Sequence, residues 1–405
     1  MKRLIIIGVV LLLFAAGVSA TDTRVMTMGD NNLIMLDDAN IWLFPSRIFE
    51  YPNLAVGEFG NLYGYNTDDF AQFGIHWKFG TDNPIVLGTY FTKLPAAVPD
   101  DFLGAALVPF DFGLLDNRRL TLIYGNALGN FNLGTKFDFY HSSWEDNETL
   151  PAVDQSKEAF NYYDFNFGAT SQSGDWDVSL DIAFGSWTDE DAAGQTETEP
   201  DGFMDFSVTG RWFMPSPDYT FVPHLGFVYG KRGIKDNVVN DGDPASLDLT
   251  DKYTLTGFDV GIGVNYTPSA SVLAVLDFGF TYLKWKDELD VQIPAPPATS
   301  ELTLTNTVLP YFKIGLDADV FKWMDIRMGA TSYWNREKFE DKGLNNENSF
   351  NWAENETYLG FGFHWKRLHV DTYTDPELFL QGFDFISGNG DVDMNFRISA
   401  VYEMM

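Results

Sequence analysis

Acidic side chains alternate with large apolar ones in several short segments of this sequence. In residues 176–184, "WDVSLDIAF", Asp177 and Asp181 stand between tryptophan, leucine, isoleucine and phenylalanine. Side chains of a β-strand point alternately to opposite faces, so the acids share one face and the apolar residues share the other. Carboxylates along one face would select cations if that face lined a water-filled channel.

Charged residues recur on the same face of many such segments, and the acids among them outnumber the bases. If that face lines an open, polar lumen, the excess of acids predicts a preference for cations. In the alternative, the charges pair across the wall and fill a closed barrel. The residues predicted to line the lumen are Asp138, Asp164, Asp177, Asp181, Asp205, Asp259, Asp277, Asp317, Asp319, Asp325, Lys136, Arg211, Lys313, Arg327 and Arg397.

Residue types that support catalysis are sparse. The chain has five histidines and no cysteine. His141 precedes Ser142 and Ser143 without a recognisable partner motif, and the other histidines fall on separate segments without metal-ligand spacing. We therefore predict neither an enzyme nor a bound cofactor.

The elements that position these charges are strands. Alternation with a period of two recurs from about residue 54 to the end, while helical periodicity is almost absent. Short turns and long polar connections follow one another along the chain, which predicts an all-β, transmembrane, antiparallel up-and-down β-barrel with periplasmic turns and extracellular loops. We count sixteen strands, with fourteen as the alternative, and a soluble sandwich or propeller remains the alternative fold. The predicted long connections are 94–117, 142–158, 188–201, 233–252, 287–304, 337–355 and 375–391.

The start of the chain and its composition agree with export to a membrane. Two basic residues, an apolar run and small residues before position 21 predict a signal peptide, residues 1–20, cleaved near Ala20. The formal net charge of -32 argues against nucleic acid as a partner. We expect a location in the outer membrane of a Gram-negative-type bacterium, with outer-membrane lipid, lipopolysaccharide, small solutes and the barrel assembly machinery as partners. The alternating final strand, 392–404, resembles the terminal strand by which such barrels are recognised.

Two predicted loops are rich in acids. Residues 188–201 contain six acids and no base, and 236–251 contain five more acids. Clustered carboxylates suit Ca²⁺, which takes six to eight oxygen ligands. The alternative, which we favour, is a solvated acidic rim, because Asp241-Gly242-Asp243 lacks the spacing of an EF-hand loop.

Residues 21–53 precede the first strand and do not alternate. Their apolar side chains would be costly to expose, so the segment should pack inside the barrel or against a partner. It resembles the start of the long-chain fatty acid transporter family at Met28-Gly29, Asp37-Asp38-Ala39 and Phe44-Pro45-Ser46, the last in place of Asn-Pro-Ala. The resemblance implies a hatch inside a fourteen-stranded barrel that passes hydrophobic solutes inward, and the alternative is an extension packed on the periplasmic rim. The residues assigned to the plug are Asp37, Asp38, Asn40, Trp42, Phe44 and Pro45.

The sequence thus predicts three parts: a signal peptide (1–20), a hatch or periplasmic segment (21–53) and a transmembrane barrel (54–405). The expected function is a porin-like channel for passive uptake of small solutes. Its lumen should prefer cations if it is open, and the resemblance favours hydrophobic solutes. The alternative is an outer-membrane structural or interaction protein with acidic, cation-binding surface loops.

Overall fold

The computed structural model describes most of the chain after the predicted signal peptide, which lies outside the described residues. The predicted connections 94–117, 142–158 and 375–391 also lie largely outside them. The described residues are 22–61, 69–81, 83–94, 117–145, 156–191, 196–238, 247–292, 298–342, 346–374 and 396–404.

The strands form one closed antiparallel barrel. Strand β1 pairs with β2 on one side and with β17 on the other, so the sheet closes on itself. The two-residue β9 continues β8 after Phe213, and both pair with β10, so the barrel has sixteen strands. The strands are β1 (Leu54–Asn61), β2 (Asp69–Phe79), β3 (Ile85–Leu94), β4 (Asn117–Leu128), β5 (Phe131–Glu145), β6 (Ser156–Ser171), β7 (Trp176–Asp191), β8 (Thr196–Trp212), β9 (Met214–Pro215), β10 (Tyr219–Val238), β11 (Leu247–Ser269), β12 (Val272–Gln292), β13 (Ala298–Phe321), β14 (Met324–Asp341), β15 (Asn346–Trp365), β16 (Leu368–Thr374) and β17 (Phe396–Glu403).

The predicted count of sixteen is confirmed, and the fourteen strands implied by the family resemblance are wrong for this chain. Four predicted loops are also largely wrong, because strands run far into 188–201, 233–252, 287–304 and 337–355. The prediction ended each strand where apolar alternation ended. Backbone pairing between strands does not need apolar side chains, so it continues into the polar sequence beyond them.

Apolar side chains cover the outside of the barrel at every second strand position. Phe73, Val260 and Ile314 are each half exposed or more. A soluble protein rarely exposes a contiguous apolar patch of more than a few hundred Å², whereas the lipid-facing wall of a membrane barrel is apolar throughout its band. The structure therefore excludes the soluble alternative and defines a transmembrane barrel.

Residues 22–53, the N-terminal segment, lie inside the barrel. Met28, Ile34 and Phe44 are fully buried, and two apolar clusters join the segment to inward-facing wall residues such as Val86 and Val222. Among the described residues, no helix has the length and apolar character needed to cross a membrane. The segment contains helix α1 (Asp22–Thr27), helix α2 (Asn40–Leu43) and a 3₁₀ helix (Pro45–Glu50).

Candidate functional site

Glycines of the wall make room for the N-terminal segment inside the lumen. On β5, a Cβ atom added to Gly134 would overlap the backbone of Pro45 and Ser46 in the 3₁₀ helix. On β13, a Cβ atom at Gly315 would overlap the backbone of Met28. The segment thus approaches strands on distant parts of the barrel as closely as backbones allow.

One wall carboxylate pairs with two guanidinium groups. Arg47, on the 3₁₀ helix, donates from Nε and Nη2 to the two oxygens of Asp177 on β7, at 2.9 Å each. Arg211 on β8 donates from Nε to the same carboxylate at 2.6 Å. All three side chains are buried, so each charge depends on its partners. The pair between Arg47 and Asp177 therefore joins the segment to the wall, and Arg211 adds a second cation to the same carboxylate.

Arg211 also fixes the backbone that leads into α2. Its Nη2 group donates to Oδ1 of Asn40 at 2.8 Å. A guanidinium presents five N–H donors in a fixed fork, so a single side chain can hold several acceptors at once. Its Nη1 group donates to the carbonyl oxygens of Asn32, Leu33 and Met35 at 3.0, 3.2 and 2.9 Å.

The α1 end of the segment is held by a second ionic network. Arg24 pairs with Asp37 at 3.2 Å within the segment and with Asp317 of β13 at 3.0 Å. Burial raises the pKa of the Asp37 carboxyl, and the Arg24 guanidinium opposes that shift. Asp317 also accepts from Nε of Arg327 on β14 at 3.1 Å. Arg327 in turn pairs with Asp371 on β16, so three strands and the segment share one network.

The beginning of α1 contacts the strands that close the barrel. Glu58 on β1 accepts hydrogen bonds from the backbone N–H and the hydroxyl of Thr23, at 3.0 and 2.5 Å. Arg397 on β17 pairs with Glu58 at 2.9 Å and with Asp22 at 2.8 Å. The segment therefore bridges β1 and β17, where the first and last strands meet.

Charged residues of the wall also pair with one another. On β5 and β6, the Lys136 ammonium lies 2.9 Å from Asp138 and 3.4 Å from Asp164. On β10 to β12, the His224 ring lies between two carboxylates, with Nδ1 3.3 Å from Asp259 and Nε2 3.0 Å from Asp277. Because of these charged groups, the walls do not form a continuous apolar channel.

The interior is acidic despite this pairing. Among the buried side chains of the described residues, twelve are Asp or Glu and five are Lys or Arg. An excess of fixed negative charge in a lumen attracts cations and repels anions. The buried acids are Asp37, Asp38, Glu58, Asp138, Asp164, Asp177, Asp205, Asp259, Asp277, Asp317, Asp325 and Asp371, and the buried bases are Arg47, Lys136, Arg211, Arg327 and Arg397.

Most residues predicted for the lumen and plug point inward. Asp181 is only half-buried, and Asp319, near the turn at 322–323, is exposed, so this carboxylate lies at the mouth and not within the lumen. Trp42 is also half-buried and packs edge-on against Tyr90 at 4.7 Å between ring centroids. The predicted residues that are buried are Asp138, Asp164, Asp177, Asp205, Asp259, Asp277, Asp317, Asp325, Lys136, Arg211, Arg327, Arg397, Asp37, Asp38, Asn40, Phe44 and Pro45.

Four residues of these networks were not predicted from the sequence. Arg24 and Arg47 belong to a segment without alternation, so no pattern indicated their direction. Glu58 lies on β1, "LAVGEFGN". Small residues occupy both faces of this strand, so the sequence does not show which face is the apolar one. Asp371 on the short β16 was missed, although the alternation of β16 places it on the same face as His369.

A metal site is not indicated by the part of the chain that the structure describes. Within it, no three His, Asp or Glu side chains are placed to hold an ion. The side chains of the two acidic stretches, 188–201 and 236–251, lie almost entirely outside the described residues, so Ca²⁺ binding there stays a prediction.

No protein-family model matches the chain, and no curated protein sequence does. Similar solved structures include the ferric yersiniabactin uptake receptor FyuA of Yersinia pestis, at 8% identity and a TM-score of 0.42, covering 87% of this chain and 81% of that chain. The toluene transporter TbuX of Ralstonia pickettii is 9% identical, with a TM-score of 0.39, and the match covers 95% of this chain and 97% of that one. At these values the likeness concerns barrel form and not solute or mechanism.

Proposed function

We propose that this protein is an outer-membrane channel for passive uptake of small solutes, and that the N-terminal segment closes it. The observation that carries the proposal is the fit between segment and wall: the Arg47–Asp177–Arg211 cluster and the glycines facing Pro45 and Met28. A sixteen-stranded barrel is wide enough for an aqueous channel when nothing fills it. Displacing the segment would therefore open a path for solutes.

The acidic interior supports a preference for small cations once the segment has moved. Carboxylates such as Asp259 and Asp277 would then face water along the path. One observation favours the hydrophobic-solute variant: Val228, Leu255 and Leu283 form a buried apolar cluster on the inner wall, with Trp285 packed against it. That cluster is a small part of the wall, so the cationic solute is the better supported of the two.

Reversal potentials in planar bilayers test this selectivity. With full-length protein and a KCl gradient, we expect brief openings whose reversal potential favours K⁺. Replacing two lumen acids in the variant Asp259→Asn/Asp277→Asn should reduce that preference, because it removes two fixed negative charges. The control Asp218→Asn, an exposed residue in the turn before β10, should leave it unchanged.

Anion preference, or equal reversal potentials in the two variants, would contradict the cation channel. Absence of current with and without the segment would favour the structural or interaction protein. In that case binding of Ca²⁺ to the acidic loops becomes the activity to measure.

A further inference from the structure

A notch of about 560 Å³ lies between the middle parts of β13, β14 and β15. Its lining includes Leu309, Trp334 and Arg336. The β13–β14 pairing shifts register between Val308 and Tyr311, so Leu309 is left out of the ladder. The notch therefore lies beside a β-bulge in the barrel wall.

The notch faces outward, away from the lumen. Trp334 is paired with Ala353, and Arg336 with Asn351, on the face opposite to the buried Asn335. Leu309 and Trp334 are 57% and 55% exposed, as are lipid-facing residues elsewhere on the barrel. Most of the residues that line the notch therefore belong to the outer face of the barrel.

The position of Trp334 along β14 places the notch at a membrane interface. Trp323 and Trp365 lie at the turn end of these strands and are exposed, as expected of one aromatic girdle. Trp334 is eleven residues beyond Trp323 in the sequence. At about 3.3 Å per residue and a strand tilt of about 40°, it lies roughly 28 Å higher, near the height of about 25 Å of the apolar band. Arg336 is then at headgroup level.

Arg336 is a cation without a partner within the part of the chain that is described. Its guanidinium is exposed and takes part in no ion pair or side-chain hydrogen bond there. Lys338, two residues on and on the same face, is paired with Glu340 and with Glu347, the latter at 3.1 Å. In a chain with a net charge of -32, an unpaired outward guanidinium is available for an external anion.

We infer that this notch binds the phosphorylated headgroup of lipopolysaccharide in the outer leaflet. A guanidinium holds phosphate through two parallel hydrogen bonds, and indole rings such as that of Trp334 sit at the boundary between acyl chains and headgroups. Leu309 adds apolar surface for an acyl chain. The long-connection end of the barrel faces outward in the proposed orientation, which selects the outer-leaflet glycolipid over inner-leaflet phospholipid. The inference rests on the proposed outer-membrane location and not on the channel activity.

Native mass spectrometry of the full-length protein in detergent tests this binding. The probes are lipid A, fully dephosphorylated lipid A and phosphatidylglycerol. We expect lipid A to bind and dephosphorylated lipid A to bind at least about tenfold more weakly. Arg336→Ala should weaken the binding of lipid A by a similar factor, because the hydrogen bonds between guanidinium and phosphate are lost. Its binding of the other two probes should not change. Arg336→Lys keeps the positive charge but lacks the paired N–H donors of the guanidinium, so it should recover part of the lost affinity for lipid A.

The matched control is Lys338→Ala, which removes a neighbouring outward cation that is already paired. It should bind lipid A as the unmodified protein does. Three results would overturn the inference: equal affinities for the Arg336→Ala and Lys338→Ala variants, binding that does not depend on the phosphates, or equally tight Arg336-dependent binding of phosphatidylglycerol. Channel currents are measured separately, so failure here does not bear on them.

Discussion

Asp177 is the residue on which the fit between segment and wall depends most. It accepts from Arg47 and Arg211 and also from the hydroxyl of Thr170 at 2.6 Å. Without its charge, two buried guanidinium groups would face each other across a neutral side chain. Breaking a buried ion pair by removing one partner costs about 3–5 kcal/mol, because the remaining charge is left uncompensated.

We expect Asp177→Asn to lower the free energy of unfolding by about 3–5 kcal/mol. The measurement is urea unfolding of the protein in lipid vesicles, followed by tryptophan fluorescence. Asp218→Asn, at an exposed turn position, is the control and should change stability by no more than about 0.5 kcal/mol. If both variants unfold like the unmodified protein, Asp177 does not hold the segment.

The sequence allowed the direction of most wall charges to be predicted but not their partners. Alternation assigned Asp177 and Arg211 to the inner face, and both are buried there. The partner of Asp177 on the segment, Arg47, is 130 positions away in sequence. A pattern with a period of two shows which face of the strand a side chain is on. It carries no information about which residue, distant in sequence, contacts that side chain.

At the scale of elements, strand identity was predictable and strand ends were not. The turn ends are marked by glycine, proline and polar residues, whereas the long-connection ends lack an apolar boundary where pairing stops. The N-terminal segment was harder, because α1 and α2 have six and four residues and are too short to show an amphipathic period. Its place in the lumen follows from contacts with wall glycines that no local pattern encodes.

A substitution of Gly134 tests the contact between β5 and the 3₁₀ helix. In Gly134→Ala the new methyl group would overlap the backbone of Pro45 and Ser46, so the helix must shift. We expect faster amide hydrogen exchange across residues 46–50 and more frequent channel openings, with the barrel still folded. Gly210→Ala is the control, because its Cβ would make only ordinary contacts, the nearest at 3.6 Å. Unchanged exchange in Gly134→Ala would show that the contact is not close in solution.

The whole molecule separates its residues by chemistry into two faces of one sheet. Phenylalanine and other apolar residues face lipid, while acids and arginines face the lumen and the N-terminal segment. The closed sheet was predictable because it needs only the alternation and the order of short and long connections. Whether the lumen is filled was not predictable from the alternation, because an open and a plugged barrel require the same outer wall.

Removal of residues 22–53 tests most directly whether the N-terminal segment closes the channel. The variant keeps residues 1–21 and the barrel, and heat-modifiable migration in gels verifies that the barrel has folded. Planar-bilayer recordings should show a steady, cation-preferring conductance in place of the brief openings of the full-length protein, because water would hydrate Arg211 and the acids once the segment is gone. A folded variant whose conductance equals that of the full-length protein would contradict the account.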